Sequence, residues 1–341
     1  MYKKMLVMMF ICLTLILTGC AKKDRPSSHS EFVMDTLCTI TLYESDDARM
    51  SHAFDILKGI EADMSNTVET SEISLVNASA GKEAVIVSES TFHVIRTALE
   101  YSRESDGSFD VSIAPLVDVW NINSEHPSVP SDDEIHKALS KISWNDVELD
   151  ESSSSVFLKR EGMKLDLGGI AKGYAADAVA NYFTEEGVTR ALINLGGNVF
   201  VHGAKEDSSP WNIGIQDPTT SQERAIATVK VKEGTAVVTS GIYQRYFEQE
   251  GKLYHHILSP KDGRPVDNEL VSVTIITKSS MEADALSTTM FTLGLEKGLD
   301  YINASKKSEA IFIKKDGSVY LSEGLKDVFE LISPEFNLVD L

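Results

Sequence analysis

Polar and apolar residues alternate from Phe32 to Tyr43, with Thr and Ile prominent, and this period of two predicts a strand. The period then lengthens. Between Ser45 and Met64, Ala53, Phe54, Leu57, Ile60 and Met64 recur at helical spacing. Phe92, Ile95 and Leu99 do the same within Ser88–Ser105, and Gly107 supplies a stop. A polar, proline-bearing loop follows over Asn121–Pro130. Ser131 with Glu134 forms a capping box that predicts a helix to about Ile142. Gly173–Gly187 reads as a further helix. From Ala191 the pattern turns strand-rich: Ala191–Asn194, Val199–His202, Trp211–Ile215, Ile226–Val231, Ala236–Thr239, Tyr243–Glu248, Leu253–Leu258 and Val271–Thr277. A helix near Glu282–Leu293, another over Leu295–Ala304, and a hairpin of Ala310–Lys314 with Val319–Leu321 close the series. Strands and helices that come in runs, without strict alternation, predict an α+β fold. No internal repeat is visible, and no linker interrupts the chain after residue 31.

The N-terminus follows a different rule. Lys3 and Lys4 precede an uncharged run from Met5 to Leu17, too short to span a bilayer and suited to a signal-peptide core. It ends in Leu17-Thr18-Gly19-Cys20, which resembles the bacterial lipobox, whose cysteine is lipidated and becomes the mature N-terminus. The expected organisation is a signal peptide over 1–19, a lipidated tether over 20–31 and one catalytic domain over 32–341. Of the three cysteines, Cys12 lies in the signal and Cys20 at the lipid position. Cys38 alone is left in the domain, so neither an internal disulfide nor a cysteine metal site is available there.

The 341 residues are 42% hydrophobic and 25% charged, the composition of a folded globular chain. Thirty-two Lys and Arg against 52 Asp and Glu leave a net charge of −20, which nucleic-acid backbones would repel.

Five stretches carry candidate chemistry. In Lys164–Asp177 a short strand is expected to end at Asp166, Gly168-Gly169 turns, and a helix begins, so exposed N–H groups suit a phosphate or a ribose hydroxyl. This is not a P-loop, because Tyr174 stands where the lysine must be. Ala191–Val199 brings a second strand to paired glycines. Val238–Phe247 and Tyr254–Pro260 bring His255 and His256, of which a strand would point only one into a given cleft. In Glu282–Thr289, Asp284 and Thr288 share a helix face and make a hard-oxygen pair suited to Mg²⁺. In Phe109–Trp120, Asp110 follows a Gly-Ser turn, where a carboxylate can reach a ligand. Each stretch alone also fits ordinary packing, a bend or a local hydrogen bond.

In this order the five stretches resemble the ApbE family of FAD:protein FMN transferases, over about Phe32 to Leu321. The strings LDLGGIAKGYAAD, INLGGN, TSGIYQRYF, YHHIL and EADALST carry the resemblance. It implies a mixed-sheet core with flanking helices, and transfer of FMN from FAD to a Thr or Ser hydroxyl of an acceptor protein with release of AMP. It also implies Asp284, Thr288 and the Gly169 carbonyl as Mg²⁺ ligands and His256 as general base. Met34, Ser108, Phe109, Asp110, Asp166, Lys172 and Leu258 match FAD-contacting positions. The expected partners are FAD, extracytoplasmic redox proteins and, through lipid on Cys20, the outer face of the cell membrane. This chain departs from many relatives in having Asn66 and Thr67 after Met64-Ser65 instead of an aromatic residue, and Ser259 in place of Asp before Pro260. The same residues would also serve an FAD pyrophosphatase yielding FMN and AMP. A non-catalytic flavin-binding or solute-binding lipoprotein would instead show two similar lobes.

Overall fold

Leu270–Thr277 is buried at all eight positions and forms the centre of the molecule. Its apolar residues divide by face. Val273 and Ile275 join Ala236, Val238, Ala310 and Phe312 in one core. Val271 and Ile276 join Val237, Ile311 and Ile313 in a second. A strand with hydrophobic residues on both faces must be covered on both. The helices Ala171–Glu185 and Ser280–Leu293 pack on the first side. A three-stranded sheet of Trp211–Gln216, Ala225–Val231 and Phe329–Leu331 covers the second.

The computed structural model describes residues 26–44, 46–220 and 224–340. The expected signal peptide, Cys20 and half of the expected tether lie outside the described residues. Among those described, no helix is long and apolar enough to cross a membrane. The central sheet has nine strands, in the order Ser27–Val33, Thr36–Leu42, Ala191–Leu195, Asn198–His202, Thr235–Gly241, Leu270–Thr277, Glu309–Lys314, Ser318–Leu321 and Asn337–Leu338. All neighbours are antiparallel except the last pair. This is a mixed-sheet α+β fold, as the element order predicts.

Local differences from the sequence reading have physical causes. The strand expected from Phe32 to Tyr43 is a hairpin, Ser27–Val33 paired with Thr36–Leu42, so Ser27 to Glu31 belong to the sheet and not to a tether. The turn consists of Met34 and Asp35, both at φ 56°. Neither is the glycine or asparagine that normally marks such a turn. The Met34 N–H donates to Glu61 Oε1 at 2.7 Å, which holds this left-handed residue. No strand ends at Asp166: Lys164 makes only an isolated parallel bridge to Ile113. The strand expected to reach Leu258 stops at His255. The helices Glu72–Ala78 and Ala114–Trp120, too short to show a period, were not expected. The Ser131–Glu134 capping box forms, and its helix covers Asp132–Leu139.

Candidate active site

Two helices fix the site by crossing at backbone contact. A Cβ on Gly173, in the Ala171–Glu185 helix, would lie 2.2 Å from the Ser280 carbonyl oxygen and 2.6 Å from Met281 Cα, so only glycine permits this approach. The crossing is pinned at two points. Asp177 accepts from Ser279 Oγ (2.8 Å) and from the N–H groups of Ser280 (2.8 Å) and Met281 (3.0 Å), at the start of the Ser280–Leu293 helix. Gly173 N–H donates to Asp284 Oδ2 at 2.9 Å. A carboxylate at a helix N-terminus also meets the positive end of the helix dipole.

Asp284 is thus buried, with one oxygen held by backbone. Its other oxygen, Oδ1, faces Lys172 Nζ at 3.8 Å, beyond hydrogen-bond length. Lys172 Nζ itself donates to the Gly168 carbonyl at 2.9 Å. One helical turn beyond Asp284, Thr288 Oγ1 lies 3.3 Å from Ser240 Oγ, which is 2.7 Å from Ser287 Oγ. Gly169 backs onto this group: a Cβ there would stand 3.6 Å from Thr288 Oγ1 and 3.1 Å from the Phe109 ring. Carboxylate, hydroxyl and the neighbouring backbone are hard oxygen donors, the set that Mg²⁺ selects. Among the described residues no cluster of three or more His, Cys, Asp and Glu exists. A metal here would therefore depend on hydroxyl and carbonyl oxygens around one carboxylate, and that donor chemistry fits Mg²⁺.

The Gly168-Gly169 turn is held by Asp166. Its carboxylate accepts from Gly168 N–H at 2.6 Å and from Asn66 Nδ2 at 2.9 Å. Burial raises its pKa, against the lowering effect of these bonds and of Lys172. Asn66 thus clamps the turn. Ile170, before the Ala171–Glu185 helix, offers no side-chain cap and no acidic residue occupies the first turn, so the Asp284 carboxylate from the other helix takes that place by accepting from Gly173 N–H. Lys172, in the same first turn, carries the positive charge beside which an anion would sit.

The two histidines separate cleanly. His255 Nε2 lies 3.1 Å from the Val266 carbonyl, its Nδ1 is 3.3 Å from Ile257 N–H, and its ring meets Phe291 edge-on at 5.9 Å. A carbonyl has no proton to give, so Nε2 carries the hydrogen and Nδ1 accepts. Both nitrogens are used, and burial pushes the pKa down to about 4. His256 Nδ1 lies 3.2 Å from the Arg245 carbonyl, so Nδ1 is the protonated nitrogen. Its Nε2 has no partner among the described residues and retains its lone pair. Burial first, then the charges of Arg245, His255 and Lys172, push the His256 pKa down to about 3. Arg245 also donates from its guanidinium to the Asp35 carbonyl at 2.9 Å, tying the hairpin turn to this histidine.

Of the residues singled out from sequence, Asp166, Gly169, Lys172, Asp284 and Thr288 are gathered by direct contacts, with Phe109 against Gly169. Lys172 acts electrostatically on His256. Met34 lies in the turn next to Asp35. The other three are buried. The Asp110 carboxylate accepts from Ser112 N–H (2.8 Å), Ser112 Oγ (2.7 Å) and Trp144 N–H (3.3 Å), which caps the following turn. Ser108 is buried beside it. The Leu258 side chain is buried with Leu116, Trp120 and Phe247. Ser259 shapes a turn: its N–H donates to the Arg264 carbonyl at 2.8 Å, and its Oγ accepts from Lys261 N–H at 3.3 Å. Asn66, Asp177, Ser240 and Arg245 were missed. Asp177 ends the LDLGGIAKGYAAD string, but only its seat on a second helix shows what it does.

Residues 34–312 match the ApbE family. The chain is 38% identical to an FAD:protein FMN transferase of Klebsiella pneumoniae over 93% of this chain and 98% of that one. It is 34% identical to an FAD:protein FMN transferase of Treponema pallidum, over 94% and 93%. Among solved structures, the ApbE protein of Thermotoga maritima superposes with TM-score 0.80 at 31% identity, covering 88% of this chain and 97% of that one. The flavin transferase ApbE of Vibrio cholerae gives TM-score 0.79 at 27% identity, covering 89% and 99%. Sequence and fold agree over nearly the whole described molecule: the chain belongs to the ApbE family and is an enzyme of the transferase class.

Proposed function

We propose that this enzyme transfers FMN from FAD to a Thr or Ser hydroxyl of an extracytoplasmic acceptor protein, in an Mg²⁺-dependent reaction that releases AMP. The observation that carries the reading is the open Nε2 of His256, a neutral base near enough to Lys172 for that charge to act on it. In this reading the acceptor hydroxyl gives its proton to His256 Nε2. Its oxygen forms a bond to the FMN phosphorus while the bond to the bridging pyrophosphate oxygen breaks and AMP departs. Arg245 holds the imidazole in the required tautomer through its carbonyl. Asp284, Thr288 and the Gly169 carbonyl would hold Mg²⁺, which supplies positive charge to the pyrophosphate. Lys172 adds to that charge. These local charges let a chain of net charge −20 accept an anion. Asp166, clamped by Asn66, positions the glycine turn against FAD. Ser108, Asp110 and Leu258, which are buried, would contact FAD from the wall of the site. Lipid on Cys20 would hold the enzyme at the outer face of the membrane, where its acceptors are.

The test is incubation of the enzyme with FAD, Mg²⁺ and the extracytoplasmic protein fraction of the same cell. In-gel flavin fluorescence, mass spectrometry of the labelled peptide and chromatography of the nucleotides are the readouts. A Thr- or Ser-linked FMN with AMP in equal amount is expected, lost on chelation and in Asp284→Ala. Free FMN and AMP without an adduct would make the enzyme a hydrolase and refute the reading.

A further inference from the structure

Nine large hydrophobic side chains stand exposed among the described residues, and three of them lie within three positions in sequence of Asp35 or Arg245, which meet beside the site. Phe32 (75% exposed) and Leu37 (59%) are cross-strand partners flanking the Met34–Asp35 turn. Tyr246 (46%) follows Arg245, whose guanidinium holds the Asp35 carbonyl and whose own carbonyl holds His256. From the proposed function, on which this inference rests, we infer that Phe32, Leu37 and Tyr246 form the docking surface for the acceptor protein, contacting the apolar segment around the hydroxyl that is modified.

Three observations favour this occupant. First, the second substrate is a polypeptide that must seat itself against His256, and the turn between Phe32 and Leu37 is tied to His256 through Arg245, the residue before Tyr246. Second, the rest of this hairpin face is polar and paired with itself: Ser30 Oγ lies 2.8 Å from Thr39 Oγ1, and Thr41 Oγ1 donates to Ser28 Oγ at 3.0 Å. Apolar surface is therefore confined to the end beside the site, and exposed patches of this kind mark interaction surfaces. Third, a chain of charge −20 cannot attract acidic acceptors electrostatically, whereas aromatic and aliphatic contact does not depend on the partner's charge. Ser27–Val33 is also an edge strand among the described residues, so alternate backbone groups are free to pair with an extended acceptor segment beside Phe32.

The experiment compares the full-length wild type with the double variant Phe32→Ser/Leu37→Ser and with Tyr246→Ser. The acceptor probe is the extracytoplasmic protein fraction, supplied with FAD and Mg²⁺ and read by in-gel flavin fluorescence. Labelling at limiting acceptor should fall by about tenfold or more in each variant, with little change on varying salt. FAD affinity, FAD cleavage without acceptor and thermal unfolding should stay as in the wild type. A parallel fall in FAD affinity would assign the patch to the flavin and overturn the inference. Unchanged labelling would also overturn it, whether or not binding to phospholipid vesicles or self-association is lost. If the wild type itself labels no protein, the functional reading fails and takes the inference with it.

Discussion

Gly173→Ala tests the link between fold and chemistry. The added methyl would lie 2.2 Å from the Ser280 carbonyl oxygen and 2.6 Å from Met281 Cα. Ordinary carbon contacts begin near 3.5 Å, so the helices must separate by roughly 1 Å. The obstruction is backbone, which cannot swing aside as a side chain does. Overpacking of this kind costs about 1–3 kcal/mol, against the ~1 kcal/mol that Ala gains over Gly in a helix. A net loss of stability is expected, and the second effect is larger. Gly173 N–H holds Asp284 Oδ2, so the same displacement moves the proposed metal ligand. A misplacement of about 1 Å can cost on the order of 10²-fold in rate. The assay pairs thermal unfolding with FMN transfer across a range of Mg²⁺, where more Mg²⁺ should be needed for half-maximal rate. Gly59→Ala is the control. It lies inside the Asp47–Met64 helix with nothing within 4 Å, so it should raise stability slightly and leave transfer unchanged. A Gly173→Ala enzyme as stable and as active as Gly59→Ala would refute the argument that this crossing places Asp284.

His256→Ala should lower single-turnover transfer by ~10²–10⁴-fold with FAD affinity little changed, while His255→Gln keeps most of the rate; the opposite order would reassign the base. With the His256 pKa near 3, kcat/KM for FAD should show no imidazole inflection near pH 6.5. His255 bears on stability. Its folded pKa, about 4, lies below the unfolded value of 6.5, so the unfolded chain binds the extra proton between these two pH values. Its contribution is neutral above pH 6.5 and turns against folding as pH falls, reaching about 3 kcal/mol near pH 4. His255→Gln should flatten the acid side of a plot of Tm against pH, and an unchanged slope would contradict this. Asp177→Asn, which keeps the shape but removes the charge from three hydrogen bonds, should cost about 1–3 kcal/mol by denaturant titration and raise the Mg²⁺ requirement.

Periodic elements were readable where one face is buried. The Asp47–Met64 and Glu89–Glu104 helices fall within a few residues of expectation, because their apolar residues repeat at helical spacing. Met34–Asp35 was not readable, since a left-handed turn of two non-glycine residues is held by Glu61, distant in sequence, and not by its own chemistry. The site was half legible. Asp284 and Thr288 are one helical turn apart, a spacing visible in the string itself. Asn66 is one hundred positions from Asp166 and Arg245 more than two hundred from Asp35, and only folding brings these pairs together. Asp110 shows the converse. Its place after a Gly-Ser turn suits both a ligand contact and a cap, and the cap wins, because Ser112 and Trp144 offer three donors to a buried carboxylate that would otherwise be unsatisfied.

The histidine pair shows how one site separates structural from chemical work. Adjacent imidazoles meet two different carbonyls, and each carbonyl fixes a tautomer because it can only accept. On His255 the remaining nitrogen is taken by Ile257 N–H, so the ring is saturated and acts as a packed spacer against Phe291. On His256 the remaining nitrogen is open. The low pKa that follows from its surroundings makes it a weak base, yet one free of protons at any physiological pH. Such a group does not need to be deprotonated before it acts. Its proton affinity would rise as two phosphate charges enter beside it, which couples the strength of the base to the presence of the substrate. In the proposed reaction such a base would stay weak toward stray hydroxyls in the empty site, because Lys172 and Arg245 as well as burial hold its proton affinity down there.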